Sequence, residues 1–416
     1  MKRKSNIKQK EKILTFLCFL ICALIASVFL LCSNYHDKKE DNITQLIIAD
    51  NAITTEEIKI YSLEDNKYIE DGSIGKNVEL TLENIDNKYF KIKDFNDYYI
   101  KNKDIEEISS RTTYDDRYKK YILFNYNVET TEKTTFYDEK NNMIYSFNKG
   151  YSLPLIIKEE DKYGVEFNNR LLYIKKEDST LVEHHNTDLN NATGVGVLNY
   201  HAFYDENDPS DNCPTVICHS KSQFKEQLDF LKDNNILTLK MKELEYYIDG
   251  KINLPKSVLI TIDDGYKGEL AIDILSEYKM YGTIFLITSW YKKEDFKITE
   301  YIEFHSHTHN MHNVGDCPGG QGGGIKCLDK EKIQEDLKQS RELLDNSTYI
   351  AFPFYEYNDY AIQNLKEAGF TMAFIGESNY SDNLVHVGDN KYLLRRFVIV
   401  TYTTIDDLKK YFEQIK

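Results

Sequence analysis

The sequence predicts an α/β domain on a parallel sheet, barrel or doubly wound, over residues 192–416, preceded by two small all-β stretches and one transmembrane helix. Three observations carry this reading. Apolar strands alternate with amphipathic helices over the last ~220 residues, the rhythm of a parallel sheet. From about Ile58 to Glu183, short Tyr, Ile, Phe and Val runs are broken by Asp-Asn and Gly turns, as antiparallel strands are. Near the start, one uncharged apolar run of bilayer length follows a cationic tail.

Composition narrows the function classes. The 416 residues carry 52 Lys+Arg against 68 Asp+Glu, a net charge of -16. So acidic a chain is a poor general nucleic-acid binder, because phosphate attraction needs a cationic face. Hydrophobic residues at 41% and charged residues at 29% exclude both a disordered polymer and a multi-span membrane protein.

The elements follow in order. Residues 1–12 are a basic tail with Lys2, Arg3, Lys4, Lys8, Lys10 and Lys12. Residues 13–32 (ILTFLCFLICALIASVFLLC) are free of charge, and twenty helical residues span roughly 30 Å. The positive-inside rule keeps the tail cytoplasmic and puts the rest outside, a single-pass cell-membrane topology with the C-terminal domain extracellular. A cleaved signal peptide, lipid attachment at Cys32 and a buried core helix are the competing readings. Residues 33–56 read as a polar stalk. Cys213, Cys218, Cys317 and Cys327 would then lie where disulfides persist, with three pairings open; their spacing lacks the usual Cys-x2-Cys rhythm of a zinc cluster.

The β-rich stretch repeats itself. Lys88, Tyr89, Tyr99, Ile100, Lys101 and Asp104 recur 74 residues later as Lys162, Tyr163, Tyr173, Ile174, Lys175 and Asp178. The Tyr-Ile-Lys ending resembles the last strand of bacterial SH3-like domains. That resemblance implies two small all-β domains at 57–110 and 115–185, either spacers or aromatic grooves for wall glycopeptide. Beyond them, strands are predicted near Gly194–Tyr200, Ser257–Ile262, Thr283–Ile287, Ile302–Phe304 and Phe397–Thr401. Helices are predicted at 221–234, 271–278, 329–345, 358–368 and from about Thr404.

Three features end predicted strands, where a parallel α/β barrel presents its reactive groups. Thr261-Ile262-Asp263-Asp264-Gly265 joins two carboxylates that repel unless a positive charge stands beside them; an ordinary acidic turn is the plain alternative. Residues 304–312, Phe-His-Ser-His-Thr-His-Asn-Met-His, hold four of the chain's ten histidines. One Asp with two His suits a divalent metal with open positions; a surface histidine cluster is the plain alternative. The third feature is Ala351-Phe352-Pro353-Phe354-Tyr355, a stiff proline turn. Gly319 to Gly324 lacks the Lys-Ser/Thr that follows a phosphate loop and reads as a rim loop between Cys317 and Cys327.

On these motifs the last ~220 residues, a single-domain length, resemble the polysaccharide deacetylases of carbohydrate esterase family four, and within it the branch that deacetylates poly-N-acetylglucosamine. The resemblance implies a distorted (β/α)7 barrel that removes N-acetyl groups from glycans with one divalent metal, zinc by default, with iron, cobalt or nickel also compatible. It implies Asp263 as general base, Asp264 with His307 and His312 as metal ligands, His201 of Tyr200-His201 as general acid, and the Phe354 amide as an oxyanion donor. His305 and His309, at x3 spacing, form the minority ligand pair. The arginine common in the third motif is absent, since Ala351 and Phe352 stand there; Arg396 is the substitute that would orient the base. Leu384-Val385-His386 imitates a late Leu-x-His motif and makes His386 a rival acid. The expected substrate is N-acetylglucosamine of peptidoglycan. A poly-N-acetylglucosamine exopolysaccharide and an inactive wall-binding protein are the alternatives.

Overall fold

The computed structural model describes residues 51–416 except 87, 96, 102–104, 185–190 and 377–382. The expected transmembrane helix at 13–32 lies outside the described residues. Among the described residues, no helix is long and apolar enough to cross a membrane. The chain divides into two compact units, up to Thr113 and from Tyr114 to Lys416.

The β-rich stretch corrects the expectation of SH3-like domains. Its strands run in one antiparallel order within each unit, from Asn51 to Glu107 in the first and from Tyr126 to Glu183 in the second. The 74-residue repeat is real at a smaller scale, because each copy is one hairpin. Tyr89–Ile92 pairs with Tyr98–Lys101 in the first unit, and Lys162–Phe167 pairs with Arg170–Lys175 in the second. The second hairpin turns through Asn168 and Asn169, both at positive φ, as a two-residue turn between twisted strands requires. A Lys-Tyr…Tyr-Ile-Lys pattern therefore encodes inward alternation across one turn, which any antiparallel hairpin can share.

In the second unit eight further strands build a parallel sheet, and Ala202–Tyr204 pairs with Cys218–Ser220 in a separate two-stranded one. The eight are β1 (Gly196–Tyr200), β2 (Leu237–Thr238), β3 (Ser257–Asp264), β4 (Gly282–Leu286), β5 (Ile302–Ser306), β6 (Tyr349–Ala351), β7 (Met372–Phe374) and β8 (Phe397–Val398). Their order is β7-β6-β5-β4-β3-β1-β8, with β2 beside the start of β3. The expected seven-stranded barrel is thus corrected to eight strands on a path whose ends are β7 and β8, and a single parallel bridge joins Phe374 to Leu394. The two-residue β2 is too short to register as hydrophobic periodicity. β3 is buried at every position but its last, and such unbroken apolar runs are what a sheet covered on both faces needs.

Helices α1 (Lys221–Asp233), α2 (Met241–Ile248), α3 (Gly268–Tyr278), α4 (Lys330–Leu343), α5 (Asp359–Glu367) and α6 (Ile405–Phe412) follow the strands. All but α2 fall on the predicted helical spans. Ser220, Asn358 and Thr404 cap α1, α5 and α6 by accepting backbone N–H groups, which satisfies donors the first turn leaves orphaned. Phe224, Leu228 and Leu231 of α1 are fully buried, each contributing about 1.5–3 kcal/mol of apolar burial.

The second β stretch shares a core with this sheet. Tyr118, Ile156 and Ile157 pack with Leu239, Leu244 and Leu259. Arg117 donates to both Glu243 carboxylate oxygens at 2.8 and 2.6 Å, and the Tyr121 hydroxyl donates to the same carboxylate at 2.8 Å.

Candidate metal centre and active site

The parallel register brings the C-terminal ends of the strands to one edge. Tyr200 pairs with Ile262, Asp263 with Phe285, and Leu286 with Ser306. Residues just past those positions therefore converge. Asp264 (φ 69°) and Gly265 (φ 88°) both take left-handed backbone. A Cβ on Gly265 would stand 2.6 Å from Leu286 Cδ2, so only glycine fits this turn. The turn separates the two carboxylates, and each meets a different partner.

Asp263 is buried and faces Arg396, which is 0% exposed. The guanidinium donates to both carboxylate oxygens at 2.7 and 2.8 Å, and its Nε donates to the Ile375 carbonyl at 3.0 Å. Burial pushes the Asp263 carboxyl up, but the charge and hydrogen bonds of Arg396, together with the neighbouring histidines, outweigh it and hold it below the usual carboxylate range. The paired Arg is the positive charge that the Asp-Asp doublet required.

Asp264 turns toward the histidines. Its Oδ1 lies 3.3 Å from His307 Nε2 and 3.4 Å from His312 Nε2. The three ligand atoms sit within 4.8 Å of one another. His307 Nδ1 donates to the Ala351 carbonyl at 2.8 Å, which leaves the Nε2 lone pair directed at Asp264. Asp264 Oδ1 is buried with no hydrogen-bond partner. Lone pairs on nitrogen and oxygen facing one another in a buried site are the arrangement a cation relieves, so these three residues fit a divalent metal. Burial lowers the His312 imidazole to about 4. At neutral pH His312 is therefore unprotonated, as a ligand must be. Its ring lies 4.1 Å from that of Phe354 and 5.6 Å, edge-on, from that of Trp290.

The remaining expected residues divide cleanly. His201 joins the site. The Tyr355 hydroxyl donates to Asn199 Oδ1 at 2.7 Å and lies 3.1 Å from His201 Nε2. Burial lowers the His201 pKa, opposed by Asp263 and Asp264. Phe354 and Tyr355 are both left-handed, at φ 57° and 61°, which brings the one ring onto His312 and the other's hydroxyl to His201. His305 is not part of the cluster. Its Nδ1 meets Ser347 Oγ at 2.8 Å, its ring packs on Tyr349, and burial lowers its pKa to about 3. His309 bonds Thr288 Oγ1 at 3.0 Å, and its backbone N–H donates to Asp336. His386 sits at the other end of the sheet, its Nδ1 donating to the carbonyl of Thr193, ahead of β1. Met311, just before His312, is core.

Sequence reasoning missed Asn199, the role of Tyr355, Trp290 and Glu356. The Glu356 carboxylate accepts the backbone N–H groups of Gln321, Gly322 and Gly323 and pairs with Lys326 at 2.7 Å. A Cβ on Gly320 (φ 62°) would lie 1.8 Å from Glu356 Oε1. The glycine loop thus does form an anion nest, and the chain's own carboxylate fills it. Disulfides join Cys213 to Cys218 and Cys317 to Cys327; the second brackets this loop. A tyrosine directly after the Phe-Pro-Phe turn and an asparagine before Tyr-His were the available signals, but neither declares a partner by spacing.

A family model for polysaccharide deacetylase matches residues 251–373. The chain is 30% identical over 202 residues to a poly-beta-1,6-N-acetyl-D-glucosamine N-deacetylase of Staphylococcus aureus strain MRSA252, covering 43% of this chain and 67% of that protein. It is 28% identical over 211 residues to the Staphylococcus epidermidis protein of the same name, covering 42% and 70%. A solved de-N-acetylase from Aggregatibacter actinomycetemcomitans aligns over 52% of this chain and 99% of that one, at 22% identity and a TM-score of 0.45. That relatedness falls on the stretch that carries the carboxylate doublet and the histidine pair, and on it the chain belongs to the polysaccharide deacetylase family.

Proposed function

We propose that this chain is a metal-dependent N-deacetylase of an N-acetylglucosamine polymer, with the β-1,6-linked polymer as substrate. The observation that carries the chemistry is the convergence of Asp264, His307 and His312 beside a second carboxylate already neutralised by Arg396. The names of the staphylococcal relatives favour the β-1,6 linkage. Peptidoglycan, expected from the sequence, is the comparator. The two disulfides favour a place of action outside the reducing cytoplasm.

A divalent cation held by Asp264, His307 and His312 would supply Lewis-acid polarisation and a more acidic water. Asp263, kept ionised by Arg396, takes the proton of the attacking water as its oxygen bonds to the acetamide carbon. The Phe354 N–H helps stabilise the charge that develops on the carbonyl oxygen. The C–N bond then breaks and His201 protonates the amine, leaving acetate and a free glucosamine unit. The hydrogen-bond pattern sets the His201 tautomer. Asn199 Nδ2 donates to the Tyr200 carbonyl at 3.2 Å, so its Oδ1 accepts the Tyr355 proton. The Tyr355 oxygen then accepts from His201 Nε2–H, and Nδ1, buried without a partner, is the nitrogen left to carry the transferred proton. Trp290, 51% exposed beside His312, offers a face for a sugar ring.

The test is acetate release from β-1,6-linked poly-N-acetylglucosamine and from peptidoglycan, with metal content read by mass spectrometry. We expect about one equivalent of divalent metal, lost in His312→Ala, and acetate release that is abolished by chelation and restored by zinc. Full activity in Asp263→Asn, or unchanged metal content in His312→Ala, would sink the reading.

A further inference from the structure

A second cavity lies within the Tyr114–Lys416 unit, away from the strand ends. Its volume is about 690 Å³, and it runs between the second β stretch and α2. Five tyrosines line it: Tyr114, Tyr118, Tyr121, Tyr173 and Tyr246. Tyr118 is 4% exposed, and its hydroxyl is buried with no hydrogen-bond partner. The Arg170 guanidinium stacks on the Tyr114 ring at 3.9 Å, and its Nη1 is also buried without a partner.

Two unanswered donors in one aromatic cleft require explanation, because leaving a buried donor unsatisfied costs about 1–3 kcal/mol. Charge limits what can answer them. Five cationic and four anionic side chains line the cleft, and Arg117–Glu243 and Lys240–Asp115 are already paired. A phosphate or a polycation finds no field there. A neutral, hydroxyl-rich ligand with apolar C–H faces fits: the faces lie on tyrosine rings, a hydroxyl meets Tyr118, and an acetamide carbonyl accepts from Arg170 Nη1.

We infer that this cleft is a second saccharide-binding site, which holds an N-acetylated sugar unit of a glycan chain apart from the reacting end. The choice of sugar rests on the deacetylase reading; the cleft and its unpaired donors do not. The site would lower KM for long chains and leave short substrates unaffected, since only a long chain engages both sites.

The experiment uses the full chain, titrated calorimetrically with a β-1,6-linked N-acetylglucosamine oligomer, with kinetics on a short and a long substrate. We expect two sugar sites in the wild type and one in Arg170→Met. Loss of one charged hydrogen bond should raise KM for the long polymer about tenfold in that variant, with kcat and short-substrate kinetics unchanged. Tyr118→Phe removes only a hydroxyl and should shift the same KM in the same direction. Intact short-substrate turnover certifies the fold of each variant. A single sugar site in the wild type, or a long-polymer KM unmoved in both variants, would overturn the inference. Calorimetric binding lost in Arg170→Met, with no acetate released by the wild type, would fault the deacetylase reading and leave the cleft standing.

Discussion

At the scale of single residues, Arg396 arrives just ahead of β8 and donates to both oxygens of Asp263. Both its partner and itself are sealed from water, so removing the cation strands a buried carboxylate. Arg396→Met should cost about 3–5 kcal/mol of stability, seen as a lowered denaturation midpoint, and should depress kcat far more than it raises KM. Arg396→Lys keeps the charge but loses the two-pronged fork, and its kcat should fall between the two. In the proposed mechanism Tyr355 acts through His201, 3.1 Å from its hydroxyl. In Tyr355→Phe the Nε2–H loses its acceptor, so 15N NMR of the imidazole should show a mixture of tautomers where the wild type shows one. kcat should drop about tenfold, a fraction of the hundredfold or more that a general acid is worth. A single unchanged tautomer in that variant would remove Tyr355 from the mechanism.

At the scale of elements, the loop 315–327 is organised by one carboxylate from outside it. Burial raises the Glu356 pKa, but Lys326 and the Gly323 and Gln321 amides outweigh burial and bring it below the usual value. A carboxyl whose folded pKa is depressed contributes stability above its unfolded pKa and loses it as pH falls through the folded one. Amide protection at Gln321, Gly322 and Gly323, corrected for intrinsic exchange, should therefore be full at neutral pH and collapse in acid below about 4.5, the ordinary glutamate range. Glu356→Gln should show weak protection at every pH. Protection in that variant equal to wild type would mean that the disulfide alone holds the loop.

At the scale of the whole molecule, the second β stretch is bound to the α/β sheet by the Arg117–Glu243 pair and the Tyr118 cluster. Side chains this buried make the pair sensitive to single truncation, and Arg117→Met should lower stability by about 3–5 kcal/mol. Its metal content should be unchanged, because the pair stands at the entry to α2 and not at the strand ends. A variant that kept its stability and lost metal would show that the β stretch supports the site directly.

Local patterns made much of this legible beforehand. Helical spacing located α1 and α3 to α6. The doublet Asp263–Asp264 announced a need for a nearby cation, and the family resemblance pointed to His307 and His312, the histidines that converge. Patterns of this kind rest on backbone periodicity and on chemistry within a few residues, which the chain carries by itself. The hairpin repeat misled for the same reason, since a two-strand pattern is complete locally and says nothing of how many strands join it. The resemblance pointed to Arg396 as the cation for Asp263; tertiary structure alone decided that His386 lies at the other end of the sheet, that Glu356 fills the glycine nest, and that Tyr355 reaches Asn199. Those pairs are separated by tens to hundreds of residues. Which of many possible partners each group meets is set by strand order and register, and a single residue's neighbours in the chain do not specify either.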